Sequence, residues 1–95
     1  MYLDNPLSPP EAKKLLRQIL QKGRVIFGKH AREEMENDGL AEGDCMNVLR
    51  GGIIDPPELH GSSNSWRYRV HTMKIWVVIT FVSETKTVVV TAWRK

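Results

Sequence analysis

The sequence has 95 residues, which is enough for one domain around a single apolar core. Hydrophobic residues make up 41% of the chain, a proportion that excludes an intrinsically disordered protein. The apolar runs are short, and none approaches the roughly 20 residues of a membrane helix, so we expect no membrane partner. The single cysteine, Cys45, cannot form an internal disulfide, and the first residues lack a secretory signal. Together these features predict a cytoplasmic protein.

Charge is distributed unevenly along the chain. The 14 Lys and Arg residues exceed the 11 Asp and Glu residues, for a net charge of +3. Most acids lie in the first 60 residues, and Glu84 is the sole acid after Trp66. The basic C-terminal third therefore indicates an anionic partner.

Three helices are predicted in the first half of the chain. Ser8 precedes two prolines and an acid, which is typical of a helix N-cap, and Lys22-Gly23 is typical of a helix end. Residues 24–27 are too short to decide between a strand and a linker. A second helix is expected over residues 30–37, and a third over residues 41–49, ended by two glycines.

The second half of the sequence has the pattern of strands. Residues 53–54 begin a strand that Asp55 and two prolines interrupt, and residues 60–65 are predicted to form a polar loop. Residues 66–72 alternate between polar and apolar, and residues 75–82 and 86–93 are apolar strands joined by a short hairpin. The sequence therefore predicts a single α+β domain over residues 1–95, with N-terminal helices packed on one face of a small antiparallel sheet.

A basic stripe is the first candidate site. Period-2 spacing places Arg67, Arg69 and His71 on one face of their strand, while the apolar residues between them face the core. Guanidinium groups bind phosphate and imidazole transfers protons near neutral pH, and RNA cleavage requires both. The alternative is an ordinary solvated face of a sheet, on which alternating polar residues are common.

A second candidate lies at the start of the second helix, where Lys29 and His30 are adjacent. A helix N-terminus attracts anions, and here it carries a cation and an imidazole. The alternative is an exposed or capping histidine.

The third candidate is the C-terminal strand. Thr91 and Trp93 share a face, so a hydroxyl could bind phosphate and an indole could stack on a base. The alternative is a tryptophan in the core, followed by a frayed basic tail at Arg94 and Lys95.

Metal and thiol chemistry are not expected. His30, His60 and His71 are far apart in sequence and lack the paired spacing of metal ligands, so we predict no metal site and no cofactor. Cys45 lies among apolar helix residues and is interpreted as a buried structural thiol.

Several short motifs resemble known families. The helix motif of residues 30–35, together with Gly23-Arg24-Val25 and the paired glycines at 51–52, resembles a small domain of unknown function that is often encoded beside an antitoxin. The sequence is also similar to the MqsR branch of the RelE-like toxins, in a set of short matches: residues 13–15, 23–25, 44–48 and 79–80, and Lys95.

The resemblance implies a RelE-like toxin fold, metal-independent endoribonuclease activity on mRNA, free or on the ribosome, and neutralisation by a cognate antitoxin protein. It implies catalytic roles for His30 on an early helix, Arg67 or Arg69 on an inner strand, and Thr91 on a late strand. The sequence differs from MqsR where a catalytic tyrosine is expected, because Trp76 has no hydroxyl. The alternative function is therefore a non-catalytic, toxin-like module that acts through protein contacts.

Two groups of residues complete this hypothesis. Histidine alone titrates near neutral pH without help from its surroundings, so His30 or His71 is expected to transfer the proton. The cations expected to bind RNA lie near these candidates: Lys29, Lys74, Arg94 and Lys95.

Overall fold

A computed structural model describes residues 5–61 and 65–95 of the chain. Within these ranges the chain forms three helices and one six-stranded sheet, which confirms the predicted α+β class. The predictions made for residues 1–4 and 62–64 lie outside the described residues. The elements are α1 (Pro9–Lys22), β1 (Arg24–Phe27), α2 (Lys29–Asp38), α3 (Glu42–Gly51), β2 (Ile53–Ile54), β3 (Glu58–His60), β4 (Ser65–His71), β5 (Ile75–Ser83) and β6 (Lys86–Arg94).

Helix α1 begins at the predicted N-cap. The Ser8 hydroxyl accepts a hydrogen bond from the Glu11 backbone N–H, and the Glu11 carboxylate accepts one from the Ser8 N–H at 3.1 Å. This reciprocal capping box satisfies two N–H groups that the helix leaves unpaired. The backbone hydrogen bond from Ser8 also lowers the pKa of Glu11.

The sheet is antiparallel except at one edge. The strand order is β1-β6-β5-β4-β2, with β3 also paired to β4. Residues 24–27 form a true strand, and β1 runs parallel to β6 with Arg24 opposite Lys86. A parallel pair needs a long connection, and α2, α3 and the other strands supply it. The sheet is therefore mostly antiparallel, as the sequence predicts, with one parallel pair at its edge.

All three helices pack against one face of the sheet. Their buried side chains form one cluster with the inward residues of β4, β5 and β6, which include Tyr68, Ile79 and Val89. Cys45 of α3 is fully buried in this cluster, and burial raises the pKa of its thiol to about 11. Among residues 5–61 and 65–95, no helix is long and apolar enough to cross a membrane.

A β-bulge in β6 changes which residues face the core. Val78 of β5 pairs with Thr91, whereas the next residue, Ile79, pairs with Val89, so Val90 is an extra residue in the strand. Before the bulge Val89 is buried on the helix side, and after it Ala92 takes that side. Thr91 is thereby moved to the face opposite the helices. We call this face the open face; its residues include Arg67, Arg69, His71, Trp76, Val78, Thr91 and Trp93.

Strand β3 was not predicted. The sequence predicted a polar loop from residue 60, but Glu58–His60 pairs antiparallel with β4, with Glu58 opposite Arg67 and His60 opposite Ser65. The edge of β4 offers backbone donors and acceptors that residues 58–60 can satisfy, so strand pairing extends to residue 60. This pairing places β3 beside the basic stripe.

We expect Tyr68→Phe to lower the free energy of unfolding by about 1–3 kcal/mol. The Tyr68 hydroxyl accepts a buried hydrogen bond from the Leu7 backbone N–H at 2.8 Å, and phenylalanine would leave that donor unpaired. Urea unfolding measures the effect. Ser83→Ala removes an exposed hydroxyl and serves as the control, with an expected change within about 0.5 kcal/mol. Equal stability of wild type and Tyr68→Phe would contradict this prediction.

Candidate active site on the open face

The register of the sheet brings two predicted residues into one row across three strands. Arg69 of β4 is opposite Val78 of β5, and Val78 is opposite Thr91 of β6. Residues in register share a face, so Arg69 and Thr91 lie on either side of Val78. Val78 is only 7% exposed although it does not belong to the helix-side core, so its open-face neighbours shield it.

A cavity of about 240 Å³ lies over this row. Three of the predicted site residues line it together: Arg67, Arg69 and Thr91. The remaining lining residues come from β3, β5 and β6: Glu58, Leu59, His60, Val78 and Trp93. The residues that line the cavity thus carry two guanidinium groups, a carboxylate, an imidazole and a hydroxyl.

The charged groups of this cavity differ in how well they are paired. Glu58 Oε2 lies 3.4 Å from Arg69 Nη2, and their side chains are 70% and 48% exposed, so solvent screens this ion pair. Among the described residues, Arg67 Nε is a buried side-chain donor without a hydrogen-bond partner. A buried donor of this kind costs free energy. Two arginines line the cavity and carry positive charge, so the cavity is suited to an anion.

His71 lies on the open face but lines a neighbouring cavity of about 390 Å³ rather than the one with the arginines. Its Nε2 is 3.1 Å from Asp55 Oδ1, and its Nδ1 is 3.5 Å from Lys95 Nζ. Both ring nitrogens therefore have polar partners, which fix the orientation of the ring. Arg67 and Arg69 thus line one cavity, and His71 lines the cavity beside it.

An aromatic row connects the two cavities. His71, Trp76 and Trp93 are opposite one another on β4, β5 and β6. The ring centroids of His71 and Trp76 are 4.4 Å apart, and those of Trp76 and Trp93 are 6.2 Å apart with planes inclined by 21°. Two cations flank Trp76: Lys95 Nζ at 4.3 Å from the ring centroid and the Arg69 guanidinium at 5.9 Å.

The structure separates Lys29 and His30 from this region. Both are exposed at the start of α2, a helix that packs on the opposite face of the sheet through Ala31 and Met35. The His30 side chain is 67% exposed, and its Nε2 lies 4.0 Å from Glu34 on the next helical turn. The second candidate site is therefore remote from the cavity.

The two C-terminal cations lie in different places: Arg94 binds the end of α2, and Lys95 lies on the open face. Arg94 donates from its backbone N–H to the Asp38 carboxylate, and from its guanidinium to the carbonyls of Asp38 and Gly39 at the end of α2. A cation at this position stabilises the helix C-terminus. Lys95 reaches the open face, and its backbone N–H binds the carbonyl of Lys74, which is exposed in the β4–β5 turn.

Sequence reasoning missed Glu58, His60 and Asp55. The first two flank Leu59 in a polar–apolar–polar pattern, and this short alternation is a weak strand signal that the adjacent glycine and serines obscured. Asp55 offered no signal, because its role depends on a contact with His71 across the sheet edge. Its backbone N–H also donates to the Arg69 carbonyl, which holds it at this edge.

Within residues 5–61 and 65–95, no group of three or more His, Cys, Asp or Glu residues is arranged to hold a metal ion. No protein-family model, curated protein sequence or solved structure matches the chain. The assignment of function therefore depends on the residues of the open face.

We expect Arg67→Met to raise the free energy of unfolding by about 1 kcal/mol, because methionine removes a buried donor that lacks a partner while keeping an apolar stem. Added sulfate should stabilise the wild-type protein, since an anion that binds only the folded state shifts the equilibrium, and this gain should be smaller in Arg67→Met. Thermal unfolding measures both effects. Arg24→Met, at an exposed position on β1, is the control. A marked loss of stability in Arg67→Met would refute the interpretation.

Proposed function

We propose that the protein is an endoribonuclease that cleaves RNA without a metal ion in the open-face cavity lined by residues of β3, β4, β5 and β6. The observation that supports this proposal is that β3 brings Glu58 and His60 into the same cavity as Arg67 and Arg69. The cavity volume of about 240 Å³ is below the range of sites for drug-sized ligands, roughly 300–1,000 Å³. It is suited to one nucleotide unit of a longer chain.

In this proposal the cations bind the scissile phosphate. Arg67 and Arg69 lie on the same face of β4, and both line the cavity. Guanidinium groups match the oxygens of a phosphate, and they stabilise the extra negative charge of the five-coordinate transition state. Thr91 lines the opposite side of the row and supplies a hydroxyl that donates to the same phosphate.

Glu58 and His60 supply the two proton transfers. A carboxylate is ionised at neutral pH and can accept the proton of the ribose 2′-hydroxyl, while a protonated imidazole can donate one. The 2′-oxygen attacks phosphorus, the bond to the 5′-oxygen breaks, and the leaving oxygen takes the proton from His60. The products are a 2′,3′-cyclic phosphate and a 5′-hydroxyl end. This assignment replaces His30 and His71, which do not line the cavity.

We also propose that this ribonuclease is the toxin of a bacterial toxin–antitoxin pair that acts on mRNA in the cytoplasm. The resemblance of the sequence to RelE-like toxins supports this part of the proposal. An antitoxin protein would then be the partner that neutralises it, and covering the open face would be sufficient for inhibition.

Glu58→Gln and His60→Gln are each expected to reduce the rate of RNA cleavage by about 10²–10⁴-fold, because each removes one proton-transfer group. Cleavage is measured with the purified protein in excess EDTA, with the ends of the products identified. Glu84→Gln, exposed on the β5–β6 hairpin, and His30→Gln, exposed on α2, are the matched controls. Wild-type rates in both cavity variants, or cleavage only when a divalent metal is added, would exclude this mechanism.

RNA affinity is expected to fall with salt by about 0.7 log units per log unit of salt for each phosphate contact. Arg69→Gln removes about one phosphate contact and should therefore reduce this slope by about 0.7. Arg17→Gln, on the exposed side of α1, should leave the slope unchanged. Fluorescence anisotropy with a labelled RNA measures the slope. A salt-independent affinity would argue against phosphate binding, and salt-dependent binding without cleavage would favour the non-catalytic alternative.

A further inference from the structure

Three aromatic rings, those of His71, Trp76 and Trp93, form a row on the open face, which no described helix covers. Both tryptophans are partly exposed, whereas the third tryptophan, Trp66, packs against the helix-side core. Cross-strand aromatic pairs stabilise sheets, and Tyr68 and Phe81 already form such a pair on the buried face. Packing of the core therefore does not account for a second aromatic group on the partly exposed face.

The row is held in place at one end and meets the cavity at the other. At the β4 end, Asp55 and Lys95 bind the two ring nitrogens of His71, and this ring packs on Trp76. At the β6 end, Trp93 lines the cavity that contains both arginines. An RNA chain with its phosphate in that cavity would have the base of the same nucleotide next to Trp93.

The chemistry of the row matches unpaired nucleobases. Aromatic side chains stack on bases of any sequence, and cations beside them bind the adjoining phosphates. Lys95 and Arg69 both approach Trp76, so positive charge and π surface alternate along this part of the open face. In a duplex the faces of the bases are stacked on one another and cannot reach such a surface.

We propose that the aromatic row is a base-stacking platform that makes the substrate single-stranded RNA, with the base beside the scissile phosphate stacked on Trp93. This inference rests on the proposed function, because it assumes that the phosphate lies in the cavity. It adds the class of substrate and assigns Trp93, and Trp76 behind it, as binding residues that act whatever the identity of the base.

The test measures binding separately from cleavage. The probe is a pool of random-sequence 2′-deoxy hexanucleotides, which lack the 2′-hydroxyl nucleophile, together with versions that carry an abasic residue at each position and a fully paired duplex. Binding should quench tryptophan fluorescence. Each stacked base contributes about 1–3 kcal/mol, so an abasic residue at one or two adjacent positions should raise Kd by about 5–150-fold. The duplex should bind more weakly by a similar factor.

Variants locate the platform. Trp93→Leu should weaken binding of the intact hexanucleotide and remove the increase in Kd that an abasic residue causes. Trp93→Phe keeps an aromatic ring, so it should retain most of the affinity and most of that increase. Trp66→Phe changes a tryptophan on the core side and is the matched control, with binding expected to be unchanged. Far-ultraviolet circular dichroism verifies that the variants fold.

Three results would overturn the inference: no binding of the hexanucleotide, equal binding of intact and abasic forms, or duplex binding as tight as single-strand binding. Each is independent of the cleavage assay. If the wild type cleaves RNA but an abasic residue does not raise Kd, the ribonuclease proposal stands and the base-stacking proposal is wrong. If an abasic residue raises Kd at particular positions but RNA is not cleaved, the base-stacking proposal is supported and the ribonuclease proposal is wrong.

Discussion

Burial on a single side of the sheet is the constraint on which the rest of this structure depends. The three helices and the inward residues of the central strands form one apolar cluster, so every polar residue that alternates with them must face away. Arg67, Arg69 and His71 share a face because Tyr68 and Val70 are required in the core. A shift of one residue in β4 would bury the cations and expose the tyrosine, and the large cost of that exchange fixes the register.

The second determinant of the site is the bulge at Val90. Without it, Thr91 and Trp93 would follow Val89 onto the helix side, and Ala92 would face away. One extra residue therefore decides whether the last strand contributes a hydroxyl and an indole to the open face or to the core. The alternative of a core tryptophan was reasonable from the alternation alone, since a bulge leaves no reliable mark in a run of valines.

Local patterns were sufficient to predict the cap at Ser8, the α+β class and the basic stripe, because each depends on residues that are neighbours in sequence. The features that could not be predicted depend on distant pairing. Strand β3 pairs with the edge of β4, and this pairing, more than the weak alternation of residues 58–60, gives His60 a place in the cavity. In the same way, the binding of Arg94 to the end of α2 joins positions 56 residues apart.

The position of β6 in the sheet has a consequence for biosynthesis. This strand lies between β1 and β5, yet it follows every other described element in the chain. During translation the helices emerge first, but the strands on which they bury their apolar faces are synthesised later, and the parallel pair joins residues 24 and 86. A nascent chain lacking β6 has no complete core and no Thr91 or Trp93, so the open face is assembled only when synthesis of the domain is finished.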